Sequence, residues 1–122
     1  MAIQSRTWFS EVSASDLDYF ATVLAAITGI IHLYEGIEHV GGEPIAIWFI
    51  LAGLGFFGAI VLFWVGFSQN ILYLVGIVFT GIQFVAYFVL NWPDIFSVLG
   101  IFDKIVQIVL IGCLVVLYRQ QI

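Results

Sequence analysis

Four apolar runs, each long enough to cross a bilayer, occupy nearly the whole of a 122-residue chain. A helical span needs about 20 residues, because a rise of 1.5 Å per residue must cover roughly 30 Å of hydrocarbon. Such runs leave little choice of structure. Hydrocarbon offers no water to backbone N–H and C=O groups, so only helices and closed barrels satisfy them. Apolar runs of this length read as helices. The expected fold class is all-α, a four-helix transmembrane bundle of antiparallel hairpins.

Charge and hydropathy agree. The chain is 63% hydrophobic and 9% charged, with a mean hydropathy of +1.17. A soluble domain carries roughly 25% charged residues. The expected surroundings are therefore the lipid bilayer of a cell membrane, with residues 1–122 as a single multi-pass domain. The net charge of −5 lacks the basic footprint of a nucleic-acid binder. The lone cysteine, Cys113, excludes a disulfide framework within one chain and reads as a small core residue. Arg6 is followed by a polar stretch rather than a cleavable apolar segment, so the first span is expected to be retained.

Residues 1–14 form a polar lead in which Trp8 and Phe9 suit the headgroup region. Ser15-Asp16-Leu17-Asp18 has the pattern of a capping box. The periodicity and punctuation place spans at about 17–39, 45–67, 71–90 and 95–118. Ala21, Ala25 and Gly29 recur every four residues, as do Gly55 and Ala59, which lets neighbouring helices approach closely. The short Ser68-Gln69-Asn70 connection makes spans two and three expected neighbours. Arg6 and Arg119 flank the outer ends of spans one and four, so both termini are expected in the cytoplasm. Trp64, Tyr73 and Tyr118 then form one aromatic belt, and Trp48 and Trp92 the other. Thr28-Gly29-Ile30 recurs as Thr80-Gly81-Ile82, a hint of a duplicated hairpin.

Polar groups gather at one depth. At 1.5 Å per residue, His32 lies about 20 Å from the cytoplasmic end, Glu35 about 24 Å and Gln83 about 18 Å. Counted back along the last span, Gln107 lies about 16 Å in, Lys104 about 21 Å and Asp103 about 22 Å. Tyr87 shares a helix face with Gln83, and Gln107 shares one with Asp103. A charge near a span's centre costs roughly 2.5–3.5 kcal/mol, so these charges must be paired, neutralised or hydrated.

Three readings of the cluster follow. In the structural reading, Glu35 or Asp103 pairs with Lys104, and His32 and Gln83 hydrogen-bond around the pair. In the conducting reading, Glu35, His32, Asp103 and Lys104 relay protons or cations. In the binding reading, His32, Glu35, His39 and Asp103 hold a metal, since imidazole and carboxylate suit zinc, iron or manganese. Haem fits less well. His32 and His39 project from one side of one helix, so only a dimer supplies both axial ligands. The first reading needs no cofactor. No base stands beside Ser97 in the sequence and no phosphate-cradling glycine loop appears, so an enzyme is not expected.

Residues 19–119 resemble an uncharacterised family of small four-helix membrane proteins from haloarchaea. The resemblance is carried by Gly29-Ile30-Ile31-His32-Leu33, Leu51-Ala52-Gly53-Leu54-Gly55-Phe56, Tyr73-Leu74-Val75-Gly76-Ile77, Asp103-Lys104-Ile105-Val106-Gln107 and Leu117-Tyr118-Arg119. The family pattern includes the His32 position and the Asp103-Lys104 pair, whereas Glu38 and His39 are peculiar to this chain. Family members also tend to carry arginine between spans two and three, where this chain is neutral. The resemblance implies a fold, a membrane and an acidic, salt-adapted host, and no activity. The expected role is a structural or accessory subunit, partnered by other membrane subunits or by copies of itself.

Overall fold

A computed structural model describes residues 12–121. Arg6, Trp8 and Phe9 lie outside the described residues. The chain forms four helices, α1 (Asp16–His39), α2 (Ile45–Trp64), α3 (Gln69–Asn91) and α4 (Val98–Gln121), with no strand among the described residues. All four are long and apolar enough to cross a membrane.

Local chemistry sets the helix ends. At the start of α1, the Asp18 amide donates to Ser15 Oγ at 3.3 Å and the Ser15 amide donates to Asp18 Oδ2 at 2.8 Å. That reciprocal pair is a capping box. α2 stops at Trp64, three residues short of the expected end. Gly66 adopts a φ of +94°, its amide donates to the Phe63 carbonyl, and the Phe67 amide donates to the Leu62 carbonyl. This is a Schellman stop, and hydropathy alone overruns it because Val65 and Phe67 are as apolar as the helix. α4 begins three residues later than expected. Ser97 Oγ accepts the Gly100 amide at 3.0 Å and the Ser97 carbonyl accepts the Ile101 amide at 2.9 Å, so Ser97 is the N-cap.

α1 packs against α2 and α4, and α4 packs against α3. The order around the bundle is therefore α2–α1–α4–α3. α2 and α3 are joined by a short turn, yet they make few close backbone approaches. They meet instead through rings: Phe56 and Phe79 at 5.1 Å between centroids, and Phe63 and Tyr73 at 6.3 Å.

Glycines close the α1–α2 seam. A Cβ at Gly53 would stand 2.6 Å from Leu33 Cγ and 2.9 Å from the Gly29 carbonyl oxygen. One at Gly36 would stand 3.0 Å from the Ile50 nitrogen. Gly29 meets the Phe57 ring from α2, and Gly55 instead faces Phe79 of α3. Ala21 is buried, while Ala25 and Ala59 line a cavity.

The buried core runs through Leu24, Phe56, Phe63, Val106, Leu110, Cys113 and Leu117. Apolar side chains also cover the outside, among them Ile30, Ile37, Leu54, Val61, Val85 and Ile108. Trp48 and Trp92 are exposed. Tyr73, expected in an aromatic belt, is buried, because its hydroxyl has a partner inside the bundle.

Candidate functional site

Asp103 and Lys104 are neighbours on α4 and both are buried, Asp103 against Thr28 of α1 and Lys104 over the Tyr87 ring of α3. Lys104 Nζ lies 3.2 Å from Asp103 Oδ2 and donates to Gln107 Oε1 at 2.5 Å. Gln107 Nε2 donates to Thr28 Oγ1 at 3.3 Å. Thr28 Oγ1 donates to Asp103 Oδ1 at 2.6 Å. These contacts close a ring of four side chains across the α1–α4 interface. The donors run consistently around it: the hydroxyl gives its one hydrogen to the carboxylate and accepts from the amide. Asp103 is 4% exposed, Lys104 5%, and Thr28 and Gln107 0%. Such burial is tolerable only because each charge faces its counter-charge and further hydrogen bonds.

The surrounding groups tighten the ring. Lys104 Nζ sits 4.9 Å from the Tyr87 ring centroid, a cation–π contact. The Tyr87 hydroxyl donates to the Ile95 carbonyl at 2.8 Å. Gly100 leaves room for that hydroxyl, where any Cβ would collide with it. His32 Nδ1 donates to the Thr28 carbonyl at 2.8 Å, which places the ring hydrogen on that nitrogen. The imidazole packs against Phe49 and Phe56. Gln83 Oε1 accepts from Gln107 at 3.5 Å, while Gln83 Nε2 and Thr80 Oγ1 are buried without partners.

Of the two carboxylates expected to pair with Lys104, Asp103 does so and Glu35 does not. Glu35 lies nearer the end of α1, with its carboxylate 3.8 Å from His39 Nδ1. The set His32, Glu35, His39 and Asp103 does not converge either. His39 donates to the Glu35 carbonyl and approaches Glu43 at 3.9 Å, two helical turns from His32. No group of three His, Cys, Asp or Glu side chains suited to a metal ion occurs among the described residues.

A second polar junction went unread in the sequence. Asp18 is buried and accepts three hydrogen bonds: from the Ser15 amide, from Ser15 Oγ at 2.9 Å and from the Tyr73 hydroxyl at 2.5 Å. Gln69 Nε2 donates to that hydroxyl at 3.1 Å. The junction ties the start of α1 to the start of α3. Asp18 reads as a cap and Tyr73 as a belt residue, and nothing in their spacing joins them. Thr28 was equally unread. Its signal is position, one helical turn before His32 on the same face.

Between α2 and α3 lies a cavity of about 370 Å³, floored by Leu110 and Leu114 of α4. Its walls include Ala25, Gly55, Phe79 and Thr80, with Asp18 and Tyr73 at one end. The exposed Gly58, Leu62 and Val75 frame its opening.

Chemically, the ring holds a charge pair, with the Thr28 hydroxyl hydrogen-bonded to the Asp103 carboxylate. Ser97 serves as a cap. Neither the curated proteins nor the solved structures give a match to this chain. The family of unknown function DUF7475 matches residues 3–118, and the chain belongs to that family.

Proposed function

We propose that this is a non-enzymatic multi-pass membrane protein, a structural or accessory subunit that assembles with other membrane subunits or with copies of itself. The closed Asp103–Lys104–Gln107–Thr28 ring carries this reading. It neutralises its own charges and spans the α1–α4 interface, as a pin between helices would. The apolar outer faces of all four helices suit lipid and the faces of other spans. Arg119 in the last turn of α4 supports a cytoplasmic C-terminus, and an even number of spans would return the N-terminus to the same side. The acidic balance fits a salt-rich cytoplasm.

Native mass spectrometry of the complex extracted from its own membranes tests the role. A defined homo-oligomer or a heteromer with a second membrane subunit is the expected result. A lone chain under gentle extraction overturns it.

A second reading is a proton or cation conductor using Glu35, His32, Asp103 and Lys104. The unpartnered Gln83 Nε2 beside Gln107 favours it, because an orphan donor at the edge of a polar cluster is a place for water. Flux into dye-loaded vesicles decides. Conduction that disappears in Lys104→Met while assembly persists would establish this reading, and vesicles no leakier than protein-free controls would remove it.

A further inference from the structure

We propose that a second copy of this chain docks on the side of the bundle formed by α1 and α4, in a two-fold dimer that sets α1 of each copy against α4 of the other. The inference rests on the membrane-subunit reading above and names one of its two kinds of partner. Arg119 in the last turn of α4 is exposed, whereas Lys104, the other Lys or Arg among the described residues, is buried. Asp16 in the first turn of α1 is exposed too. Among the described residues, neither Asp16 nor Arg119 has an ion-pair partner within the chain.

The polar ring fixes the levels of these two charges. Thr28 meets Asp103 and Gln107 across the α1–α4 seam. At 1.5 Å per residue, Asp16 lies about 18 Å from Thr28, while Arg119 lies about 18 Å from Gln107 and about 24 Å from Asp103. Both counts run toward the same end of the bundle, so the charges stand close to one level. Their directions also suit a shared interface. At 3.6 residues per turn, Asp16 lies within about 40° of Val23, Ile30 and Tyr34 on the exposed face of α1, and Arg119 lies within about 20° of the exposed Gly112 on α4. A two-fold axis parallel to the helices keeps every residue at its own level and sets the α1–α4 side against itself in reverse order. Each Arg119 then meets the partner's Asp16 rather than a second arginine, and two such pairs form. The exposed cation and the carboxylate at its level come from one side of one fold, so the chain is its own complement.

The apolar surface between the charges fits the same arrangement. The exposed face of α4 consists of Ile105, Ile108, Val109, Gly112, Val115 and Val116. β-branched side chains hold one preferred rotamer in a helix, so their burial loses little entropy. A Cβ at Gly112 would meet nothing within 4 Å, which leaves bare backbone for a neighbour to approach. Phe20 of α1 is 48% exposed and lies about 12 Å from Thr28. Gly112 lies about 7.5 Å from Gln107 and about 13.5 Å from Asp103, toward the same end. The partner's Phe20 is therefore level with the dimple at Gly112.

Sedimentation equilibrium of the full-length protein in density-matched detergent micelles tests the interface, at salt low enough to leave exposed pairs unscreened. A reversible monomer–dimer equilibrium is expected. Arg119→Glu and Asp16→Lys each place like charges in both pairs and should weaken the dimer about tenfold. Asp16→Lys combined with Arg119→Glu restores opposite charges and should dimerise within about threefold of the parent. Gly112→Leu fills the dimple and should weaken the dimer at least tenfold, with helix content by circular dichroism unchanged because the side chain grows into open space. A chain that stays monomeric overturns the proposal. So does a dimer equally strong in the parent, both charge reversals and Gly112→Leu. With either of those results, an assembly seen by native mass spectrometry keeps the subunit reading and removes this interface alone, and a lone chain there removes both.

Discussion

Thr28 adds one hydroxyl to the bundle, and that hydroxyl completes the ring around Asp103. Replacing it with valine keeps the volume and leaves Asp103 Oδ1 without its donor. Thr28→Val is expected to cost about 1–3 kcal/mol of unfolding free energy, with Thr28→Ser retaining most of it. Tyr73→Phe should cost a similar amount, about 1–3 kcal/mol, by stripping a donor from the buried Asp18. Both are measurable as shifts in denaturant titrations of the detergent-solubilised protein. Asp103, Lys104 and Gln107 were legible in the sequence because ionisable and amide groups stand out in an apolar run. Thr28 was not. Threonine is at home in a helix, where its hydroxyl can bond its own backbone, so nothing in its type signals a partner on another helix. Glu35 misled for the opposite reason. Its depth matched Lys104, but depth says nothing of which carboxylate lies nearer in space.

At the scale of elements, hydropathy located the four helices, and backbone chemistry set their limits. Gly66 ends α2 in a left-handed conformation that costs a side-chain-bearing residue about 1–2 kcal/mol. Gly66→Ala should lose that amount, read in the same titration. The helix seams divide the glycines sharply. At Gly53 the added methyl meets Leu33 and a backbone carbonyl of α1, whereas at Gly58 it meets nothing. Gly53→Ala is therefore expected to destabilise by about 1–3 kcal/mol through overpacking. Gly58→Ala should stay within about 0.5 kcal/mol of the parent. Four-residue spacing revealed Ala21, Ala25 and Gly29 but passed over Gly36, which lies two turns beyond Gly29 with Leu33 between them. It passed over Gly53 as well, because that glycine's neighbours at four-residue steps are large.

The whole molecule is a bundle closed on one side and open on the other. α1 is gripped by α2 through glycines and by α4 through the polar ring, while α2 and α3 touch through rings above a cavity. The all-α architecture was legible because apolar runs of this length permit little else. The order α2–α1–α4–α3 was not, because loop length makes two helices antiparallel without fixing how closely they pack. On this arrangement Asp103 and Lys104 hold α1 and α4 together, and their value lies in being paired. The most direct test is a double-mutant cycle on Asp103→Asn and Lys104→Met, followed by equilibrium unfolding. Each single change strands a buried charge and is expected to cost about 3–5 kcal/mol. The double variant strands none and should cost no more than either single change, which is a coupling of at least about 3 kcal/mol. Losses that simply add, or single variants as stable as the parent, would contradict the ring as the pin between α1 and α4.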